Sequence, residues 1–463
     1  MFKPETYSGR RNALRAEVKS GIAIFPGNVE ASFNYPANTY HFRQDSTFSY
    51  FFGLNQPDLA GIIDFDNGTD VLFGNDVDMD DIIWMGPQPL MIDRGALVGV
   101  KNTSPLDAFE AYVKEAIANG RKVHFLPPYR GETKIMLSEL LGIAPSGLKA
   151  AASEELIRGV VKLRSIKSDE EIVEIEKMVD VAYLMHTTAM KMAHPGIVEQ
   201  EIAGTIEGVA LANAGPVSFP VILSMDGQTL HNHYHGNTLV EGRMLVVDSG
   251  CESEKTLYSS DITRTVPVGG KFSPRQKEIY EIVLNANMKA IEAIKPGIPY
   301  REVHMIAAKT VAEGLKNAGL MKGDTDAAVA AGAHALFFPH GLGHMMGMDV
   351  HDMENLGENF VGYDEETIRS KQFGTAFLRL GRRLQPGFVL TVEPGIYFIP
   401  ALIDQWKAEG KFTEFINYDK VESYKDFGGI RIEDDVLVTE TGNRVLGKPI
   451  PKTVADIEAI MAK

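Results

Sequence analysis

Two stretches of this 463-residue sequence carry an acidic residue at the same place in a repeated pattern. Residues 242–250 (GRMLVVDSG) align without gaps with residues 387–395 (GFVLTVEPG), so that Asp248 corresponds to Glu393. Each stretch has the apolar character of a buried strand, and each carboxylate comes just before a glycine. The pattern predicts two equivalent strands, each delivering one carboxylate to a turn.

A second pair of acids follows in the same order. Asp261 precedes the run ITRTV, and Glu433 precedes the run DDVLV. A duplicated unit that brings two acids from each half to a common axis gathers four carboxylates, which cannot all be ionised at short range without cations. A single Asp or Glu at the end of a strand normally faces water. Four at matching positions instead predict a site for two divalent metal ions.

Histidines are concentrated in two short windows. The first is His231-Asn-His233-Tyr-His235, and on a strand this alternation would place all three imidazoles on one face. The second window runs through residues 337–351 and contains His340 and His344 among several glycines, which indicates a tight loop near a ligand and not the helix of zinc proteases. Many carboxylates with one imidazole suit manganese, cobalt or zinc.

The other histidines receive a structural interpretation. A lone histidine is more often a satisfied core or surface residue than a ligand, and this applies to His41, His124, His186 and His304. His334 precedes the second window, and its role stays open. The only cysteine, Cys251, lies three residues past Asp248, and we expect it to fill space.

The elements that must position these residues divide the chain into two domains. Before residue 165, predicted strands at 21–25, 61–65, 71–73 and 122–126 alternate with helices at 104–119 and 134–141, which indicates an α/β domain. Ser168 and Glu171 form a capping box that begins a long helix, and this helix ends before Pro195. We therefore predict domains at residues 1–164 and 165–463.

The second domain repeats its helices as well as its strands. The sequence Pro-Gly-Ile occurs at 195–197 and again at 296–298, each time between two long amphipathic helices. Ser273 and Pro274 supply the N-cap and the first-turn proline of the second copy. Helix, helix and carboxylate-bearing strands thus occur twice, which predicts an α+β domain with an internal pseudo-twofold duplication.

Composition excludes several classes of function. The chain has 62 Asp and Glu against 46 Lys and Arg, a net charge of −16, so we expect no binding to nucleic acid or to an anionic membrane surface. We expect no secretory signal, and the sequence has no apolar run long enough to span a membrane. With a single cysteine, a reducing compartment is expected, and we predict a cytoplasmic protein.

Taken together, these motifs resemble the proline-specific branch of the pita-bread dinuclear metallopeptidases, which contains aminopeptidase P (Xaa-Pro aminopeptidase) and prolidase (Xaa-Pro dipeptidase). The resemblance covers nearly the whole chain, and its ordered set of motifs is highly specific. The motifs are residues 40–46 (YHFRQDS), 50–53 (YFFG), 247–250 (VDSG), 260–265 (SDITRT), 339–344 (PHGLGH), 392–395 (VEPG) and 429–434 (GIRIED).

The resemblance implies a role for each site residue. It implies that two divalent ions, expected to be Mn²⁺ with Co²⁺ or Zn²⁺ as alternatives, are held by Asp248, Asp261, His344, Glu393 and Glu433. Asp261 and Glu433 would bridge the ions, and Glu393 would also move the proton. His340 and His351 match histidines that hold substrate and stabilise the developing oxyanion, and Arg431 matches an arginine on the substrate side.

The sequence departs from the family pattern in three places. Asp248 and Asp261 are 13 residues apart, two more than usual, so the hairpin between them must be longer or bulged. The family has one substrate histidine before the first aspartate; here His231 fits best, His233 is close behind and His235 is a third candidate. The segment between Glu393 and Glu433 is long and resembles a prolidase insertion.

These features leave several functions to compare. We predict hydrolysis of the bond between an N-terminal residue and a following proline in peptides longer than a dipeptide, and prolidase is the alternative. A metal-free binding module is a second class, disfavoured because all five ligand types are present. An amidohydrolase barrel using His231 and His233 is remote, because eight βα repeats are absent. We expect peptides with proline in second position as substrates, and a homodimer or higher homo-oligomer.

Overall fold

The computed structural model describes residues 1–462, which form two compact units. The first unit comprises residues 1–164 together with two short segments, 255–257 and 353–360. The second comprises residues 165–254, 258–352 and 361–462. None of the described helices combines the length and the apolar character that crossing a membrane requires.

The first unit is built on a five-stranded mixed sheet. The strands of this unit are β1 (Ile22–Pro26), β2 (Ser32–Tyr35), β3 (Asn38–Thr39), β4 (Ala60–Asp64), β5 (Thr69–Phe73), β6 (Asn102–Ser104) and β7 (Val123–His124). Its helices are α1 (Pro4–Glu17), α2 (Ser46–Phe52), α3 (Met79–Met85), α4 (Met91–Leu97), α5 (Ala108–Ala118), α6 (Gly131–Leu141), α7 (Leu148–Ala151) and α8 (Glu154–Ser165).

The strand order of this sheet is β6-β5-β4-β1-β7, and β2 and β3 form a separate hairpin. β1, β4 and β5 pair antiparallel, whereas β6 and β7 join the two edges in parallel. Apolar residues of the sheet, α5 and α6 form one buried core that includes Ile24, Ile62, Phe73, Val113 and Leu137. The predicted α/β character of this unit is confirmed.

The second unit contains the duplicated elements. Its helices are α9 (Asp169–Met192), α10 (Glu199–Asn213), α11 (Pro274–Ala293), α12 (Tyr300–Asn317), α13 (Thr325–Ala331), α14 (Glu358–Gly362, which begins in the first unit), α15 (Pro400–Ala408), α16 (Tyr418–Glu422) and α17 (Val454–Met461). Its strands are β8 (Ile222–Ser224), β9 (Met244–Ser249), β10 (Ile262–Pro267), β11 (Val389–Val392), β12 (Gly395–Tyr397), β13 (Gly429–Arg431), β14 (Asp434–Val438) and β15 (Asn443–Val445). Short 3-10 helices occupy Ala333–Leu336 and Thr375–Phe377 of this unit, and a third, Glu354–Leu356, lies in the first unit.

Both long helices of the repeat begin with the predicted caps. Ser168 and Glu171 form a capping box before α9, and Ser273 and Gln276 form one before α11, where Pro274 occupies the first turn. Each cap satisfies backbone N–H groups that the first turn of a helix leaves unpaired. Polar side chains at these positions therefore explain where each copy of the repeat begins.

The backbone confirms the duplication in detail. In the first half, the N–H of Gly196 donates to the carbonyl of Leu239, and the N–H of Leu239 donates to that of Ile197. The second half repeats the same two bonds among Gly297, Leu384 and Ile298. Both turn glycines have positive φ, 92° at Gly196 and 85° at Gly297, a conformation that glycine adopts without steric cost.

Candidate active site

Two antiparallel strand pairs, the hairpin β9–β10 and the pair β11–β14, bring the four acids together. Asp248 lies near the end of β9, and Asp261 comes directly before β10, its partner. Glu393 follows β11 directly, and Glu433 directly precedes β14, the partner of β11. The two strand pairs join where the N–H of Glu433 donates to the carbonyl of Thr263 at 3.0 Å. Each carboxylate therefore sits where a strand begins or ends, at the junction of the two repeats.

The hairpin that carries the two aspartates is longer, and it is not bulged. Ser249 pairs with Ile262 and Glu252 pairs with Ser259, and the N–H of Ser253 donates to the carbonyl of Tyr258. The register is the same at all three places, since the two residue numbers of each pair have the same sum. The two extra residues therefore lengthen the arms of the hairpin and do not change the register of the strands that carry Asp248 and Asp261.

Side-chain atoms of three of the predicted ligands lie close together. Asp261, His344 and Glu433 each offer one atom, and these atoms lie within 4.8 Å of one another. His344 Nε2 is 3.4 Å from Asp261 Oδ2 and 3.6 Å from Glu393 Oε1. The structure thus brings one imidazole into contact with acids from both halves of the repeat.

The loop with His344 is held against β11 by backbone hydrogen bonds. The N–H of Thr391 donates to the carbonyl of His344 at 3.0 Å, and the N–H of Glu393 donates to that of Leu342 at 2.8 Å. Between these bonds the two chains approach closely, and a Cβ at Gly343 would lie 2.1 Å from the carbonyl oxygen of Thr391. The glycine is thus required for the loop to lie beside the strand that ends in Glu393.

Burial raises the proton affinity of these carboxylates. Desolvation, reinforced by the negative charge of Asp248, raises the pKa of Asp261 to about 8. Desolvation also raises the pKa of Glu393 to about 8, against the positive charge of Arg431. The pKa of Glu433 lies well above its usual range because of its burial and the charges of Asp261 and Glu393. Without cations, the cluster therefore holds protons near neutral pH.

Arg431 is the buried cation of the site. It lies on β13, where its Nη2 donates to Asp248 Oδ2 at 2.7 Å, its Nη1 donates to Tyr397 Oη at 2.9 Å and its Nε donates to Thr263 Oγ1 at 3.2 Å. Thr263 in turn donates to Glu433 Oε2 at 2.7 Å. The other carboxylate oxygen of Asp248, Oδ1, is buried without a hydrogen-bond partner among the described residues.

Tyr397 connects Arg431 to His340. His340 Nε2 lies 3.0 Å from Tyr397 Oη. A guanidinium can only donate, so Tyr397 Oη accepts from Arg431 and gives its own proton to His340 Nε2. This network assigns the ring proton of His340 to Nδ1, which lies 2.8 Å from the carbonyl oxygen of Gly341 and 3.8 Å from Glu393 Oε2. Desolvation, with the charge of Arg431, lowers the pKa of His340 to about 3, so the imidazole is neutral.

Residues 231–235 are not a strand, so the alternation expected for their histidines does not apply. His233 Nδ1 lies 3.4 Å from the carbonyl oxygen of Val221, and His235 Nδ1 lies 3.0 Å from that of Leu223, both beside β8. His231 is exposed, and partial desolvation together with the charge of Arg431 lowers its pKa. The charge of Arg431 thus acts on the imidazole of His231, whereas the rings of His233 and His235 contact carbonyl oxygens at β8.

The histidine window at residues 337–351 places His340 and His351, as well as His344, at the site. The rings of His344 and His351 pack with their centroids 4.3 Å apart, and the ring of His340 lies 5.4 Å from that of Tyr397. By contrast, His304 and His334 are completely buried, His304 against Phe338, and their ring nitrogens have no partner among the described residues. The structure therefore separates three site histidines of this region from two core histidines.

Sequence reasoning missed Tyr397 and Thr263. Glu393, Gly395 and Tyr397 alternate along an extended segment, so they share a face, and the absence of a side chain at Gly395 leaves room for the Tyr397 hydroxyl. Thr263 is two residues past Asp261 on β10 and faces the same way. Strand alternation around the predicted acids was the signal that could have identified both residues.

We expect the stability of the metal-free protein to fall as pH rises from about 5 to about 9. The acids hold protons in the folded state, where two have a pKa of about 8, and release them near pH 4 when unfolded. Stability from a raised pKa is complete below the unfolded value and is lost as pH rises through the folded value. Thermal unfolding in chelator should show this decline, and excess Mn²⁺ should remove it. An equal decline with and without the ion would contradict the prediction.

Comparisons with known proteins extend over the full chain. Residues 173–440 match Metallopeptidase family M24, and residues 7–124 match the Aminopeptidase P, N-terminal domain. Xaa-Pro dipeptidase of Homo sapiens is 32% identical over 456 residues, covering 96% of this chain and 90% of that protein. A probable Xaa-Pro aminopeptidase of Metarhizium robertsii is 31% identical over 449 residues, covering 96% and 93%.

Solved structures agree over the same length. Aminopeptidase PepP of Pseudomonas aeruginosa has a TM-score of 0.82 and 29% identity, covering 100% of this chain and 98% of its own. Aminopeptidase P of Escherichia coli, solved with the inhibitor Pro-Leu, has a TM-score of 0.81 and 29% identity over the same shares. The pita-bread architecture predicted for the duplicated domain is thereby confirmed. The chain belongs to metallopeptidase family M24, in its aminopeptidase P/prolidase branch.

Proposed function

We propose that this protein is a metal-dependent peptidase that hydrolyses the bond between an N-terminal residue and a following proline, as an Xaa-Pro aminopeptidase does. The observation that carries the proposal is the buried junction of the two strand pairs, where acids from both repeats meet one imidazole. We assign the catalytic domain to residues 165–463 and an accessory domain to residues 1–164.

The residues present fit two divalent ions. Asp248, Asp261, His344, Glu393 and Glu433 would hold them; the orphaned Oδ1 of Asp248 and the raised carboxyl pKa values are what cations would relieve. Oxygen ligands with one imidazole suit Mn²⁺, with Co²⁺ or Zn²⁺ as alternatives. When bound, such ions supply Lewis-acid polarisation of the scissile carbonyl and activation of water.

Glu393 is the acid best placed to move a proton. Its side chain is 19% exposed, compared with 10% for Asp248 and 7% for Asp261, so it faces the open side of the cluster. We therefore assign Glu393 the transfer of a proton from the attacking water to the leaving nitrogen of proline.

The histidines would bind the substrate and the developing negative charge. Neutral His340 carries its proton on Nδ1, which lies 2.8 Å from the carbonyl oxygen of Gly341 and 3.8 Å from Glu393 Oε2, so a substrate oxygen would share this N–H with Gly341 or replace it as the acceptor. A preoriented donor stabilises an oxyanion more than water does. His351, packed on His344, and His231, near Arg431, would hold the substrate on the two sides of the scissile bond.

One observation favours Xaa-Pro dipeptidase as the second candidate. Arg379 lies close enough to Glu393 and His231 for its positive charge to act on both. A dipeptide substrate ends in a carboxylate immediately after the proline, and an arginine beside the site is the side chain suited to bind it. The full-length similarity to aminopeptidase P structures supports the leading proposal, and the human relative supports the second.

Three substrates distinguish the two activities: an Xaa-Pro dipeptide, its C-terminal amide and an Xaa-Pro-Yaa tripeptide, each with Mn²⁺ supplied. For an aminopeptidase, we expect the tripeptide to be the best substrate and Arg379→Ala to change its kcat/KM little. For a dipeptidase, amidation or Arg379→Ala should each lower kcat/KM by about tenfold to a hundredfold, the value of a charge-assisted hydrogen bond.

Arg383→Ala is the matched control, because Arg383 lies four residues away, is exposed and pairs only with Glu366 and the carbonyl of Gly297. It should leave all three substrates unaffected. Turnover confined to the dipeptide would overturn the aminopeptidase proposal. No turnover of any Xaa-Pro peptide by the manganese-loaded protein would overturn both.

A further inference from the structure

A buried carboxylate lies behind the loop that carries His231. Glu199, the first residue of α10, has no solvent exposure. Its Oε1 accepts a hydrogen bond from the N–H of Met225 at 2.7 Å, and its Oε2 accepts one from Asn237 Nδ2 at 3.1 Å. Burying a carboxylate costs free energy unless its oxygens are hydrogen-bonded, and here both are. The two donors stand at the two ends of one segment, residues 225–237.

This segment has little structure of its own. Residues 225–237 contain no helix and no strand, and several of their side chains, including His231, are exposed. The backbone of α10 adds two further bonds to one end, because the N–H of Glu199 donates to the carbonyl of Asn237 and the N–H of Gln200 donates to that of His235. Ser224 and Arg243 also hold the loop: Ser224 Oγ accepts from the N–H of Asp226 and from Asn232 Nδ2, and Arg243 Nη2 donates to the carbonyl of Met225. Among these anchors, the Glu199 carboxylate bonds to both ends of the segment.

The middle of the segment reaches the active site. The carbonyl of Leu230 accepts from Arg431 Nη2 at 3.4 Å, the same nitrogen that donates to Asp248. His231 follows directly, and the charges of Arg431, Asp248 and His351 all act on its imidazole. A shift of the loop would therefore move His231 relative to the substrate while leaving the acids in their strand pairs.

The other half of the duplication uses the equivalent position in a related way. Tyr300 stands in α12 where Glu199 stands in α10, four residues after the proline of the repeated Pro-Gly-Ile sequence in both copies, and it is also completely buried. Its hydroxyl donates to the carbonyl of Thr391 at 2.6 Å, and Thr391 is the residue bonded to the loop of His344. In the first repeat, the first residue of the second helix thus bonds the loop of His231. In the second repeat, it bonds β11, the strand beside which the loop of His344 lies.

We propose that Glu199 is a positioning residue of the peptidase: by bonding both ends of residues 225–237, it sets the place of His231 and of the Leu230 carbonyl at the substrate side of the site. This inference rests on the proposed function, in which His231 holds the substrate. It predicts an effect on substrate binding and not on the metal ligands, since Glu199 has no contact with any of the five.

The test compares Glu199→Ala, Glu199→Gln and Asn237→Ala with the control Glu201→Ala in the full-length, manganese-loaded protein. Glu201 lies two residues along α10, is exposed and only caps its own helix through the N–H of Val198. We expect Glu199→Ala to raise KM for an Xaa-Pro tripeptide by about tenfold with little change in kcat, the signature of lost substrate binding. Asn237→Ala should act in the same direction without changing the start of α10.

Glu199→Gln should stay near the wild type. The glutamine oxygen can still accept from Met225, and its amide can donate to Asn237 once the Asn237 amide turns over. In the His231→Ala background, Glu199→Ala should cause no further rise in KM, because the residue that it positions is already gone. Manganese content should be unchanged in every variant.

Hydrogen exchange separates failure of this inference from failure of the proposed function. Amides of residues 225–237 should exchange about tenfold faster in Glu199→Ala than in Glu201→Ala, since local opening follows the loss of anchoring bonds. Unchanged exchange overturns the inference whatever the activity, as does a KM effect that multiplies with that of His231→Ala. Faster exchange in a protein without Xaa-Pro activity would confirm that Glu199 holds residues 225–237 and would contradict the proposed peptidase function.

Discussion

Replacing Glu433 with glutamine should remove both the peptidase activity and the stabilisation of the fold by manganese. Glu433 lies at the junction of the two strand pairs with Asp261 and His344, and glutamine keeps its shape but not its charge. We expect kcat/KM to fall by about a thousandfold or more, since a metal ion contributes several kcal/mol to a charged transition state.

The same variant makes a sharper prediction about stability. In the wild type, an ion at about a hundred times its Kd adds about 2.7 kcal/mol to the free energy of unfolding, and Glu433→Gln should lose most of this increment. Without metal, the variant should be as stable as the wild type or more so, because the raised pKa of Glu433 already favours an uncharged side chain there. Thermal unfolding with chelator and with Mn²⁺ measures both quantities.

Glu440→Gln is the matched control. Glu440 lies just beyond the other end of β14 and is exposed, so its replacement should leave activity, ion binding and stability unchanged. If Glu433→Gln kept its manganese-dependent stabilisation, Glu433 would not be a metal ligand and the assignment of the site would be wrong.

Replacing Arg431 with methionine should destabilise the metal-free protein more than the metal-loaded one. The substitution leaves Asp248 buried with neither a cation nor its strongest hydrogen bond. Removing one partner of a buried ion pair typically costs about 3–5 kcal/mol. Bound divalent ions would take over the neutralisation of Asp248, so excess Mn²⁺ should recover much of the loss. Chemical unfolding with and without the ion gives the comparison.

Arg444→Met provides the control for a surface arginine. Arg444 lies on the short neighbouring strand β15 and pairs with Glu176 at partly exposed positions, so we expect a cost below about 1 kcal/mol that does not depend on Mn²⁺. An Arg431→Met deficit that was equally large with and without Mn²⁺ would show that Arg431 serves packing alone. Arg431→Lys keeps the charge but loses the bonds to Tyr397 and Thr263. Its loss of unfolding free energy should therefore lie between those of the wild type and Arg431→Met.

The duplication explains why so much of the site could be predicted. Asp248 and Glu393 occupy the same place in two gapless copies of one strand, and Asp261 and Glu433 precede equivalent strands. A carboxylate that recurs at the same position of both copies is informative, because a single acidic residue at the end of a strand could occur there by chance. The caps at Ser168 and Ser273 were predictable for a different reason, since capping depends on residues within one turn of the helix.

The histidine window at 231–235 shows where local reasoning fails. Alternation predicts one common face only if the segment is a strand, and here it is an irregular loop bonded to β8 and α10. His233 and His235 turn their Nδ1 atoms to carbonyl oxygens near β8. The placement of the three imidazoles therefore depends on partners elsewhere in the sequence, namely the carbonyls at β8 and the charge of Arg431.

The sequence alone was sufficient for the family resemblance, the duplicated architecture and the identity of the four acids, because strand periodicity, helix caps and the repeat are all short-range patterns. Tertiary structure decided that the aspartate hairpin is lengthened in register, that Tyr397 links Arg431 to His340, and that the charge of Arg431 acts on the imidazole of His231. These features depend on hydrogen bonds between residues up to 201 positions apart. Only the folded chain brings such partners to bonding distance, and their pairing leaves no periodic trace in the sequence.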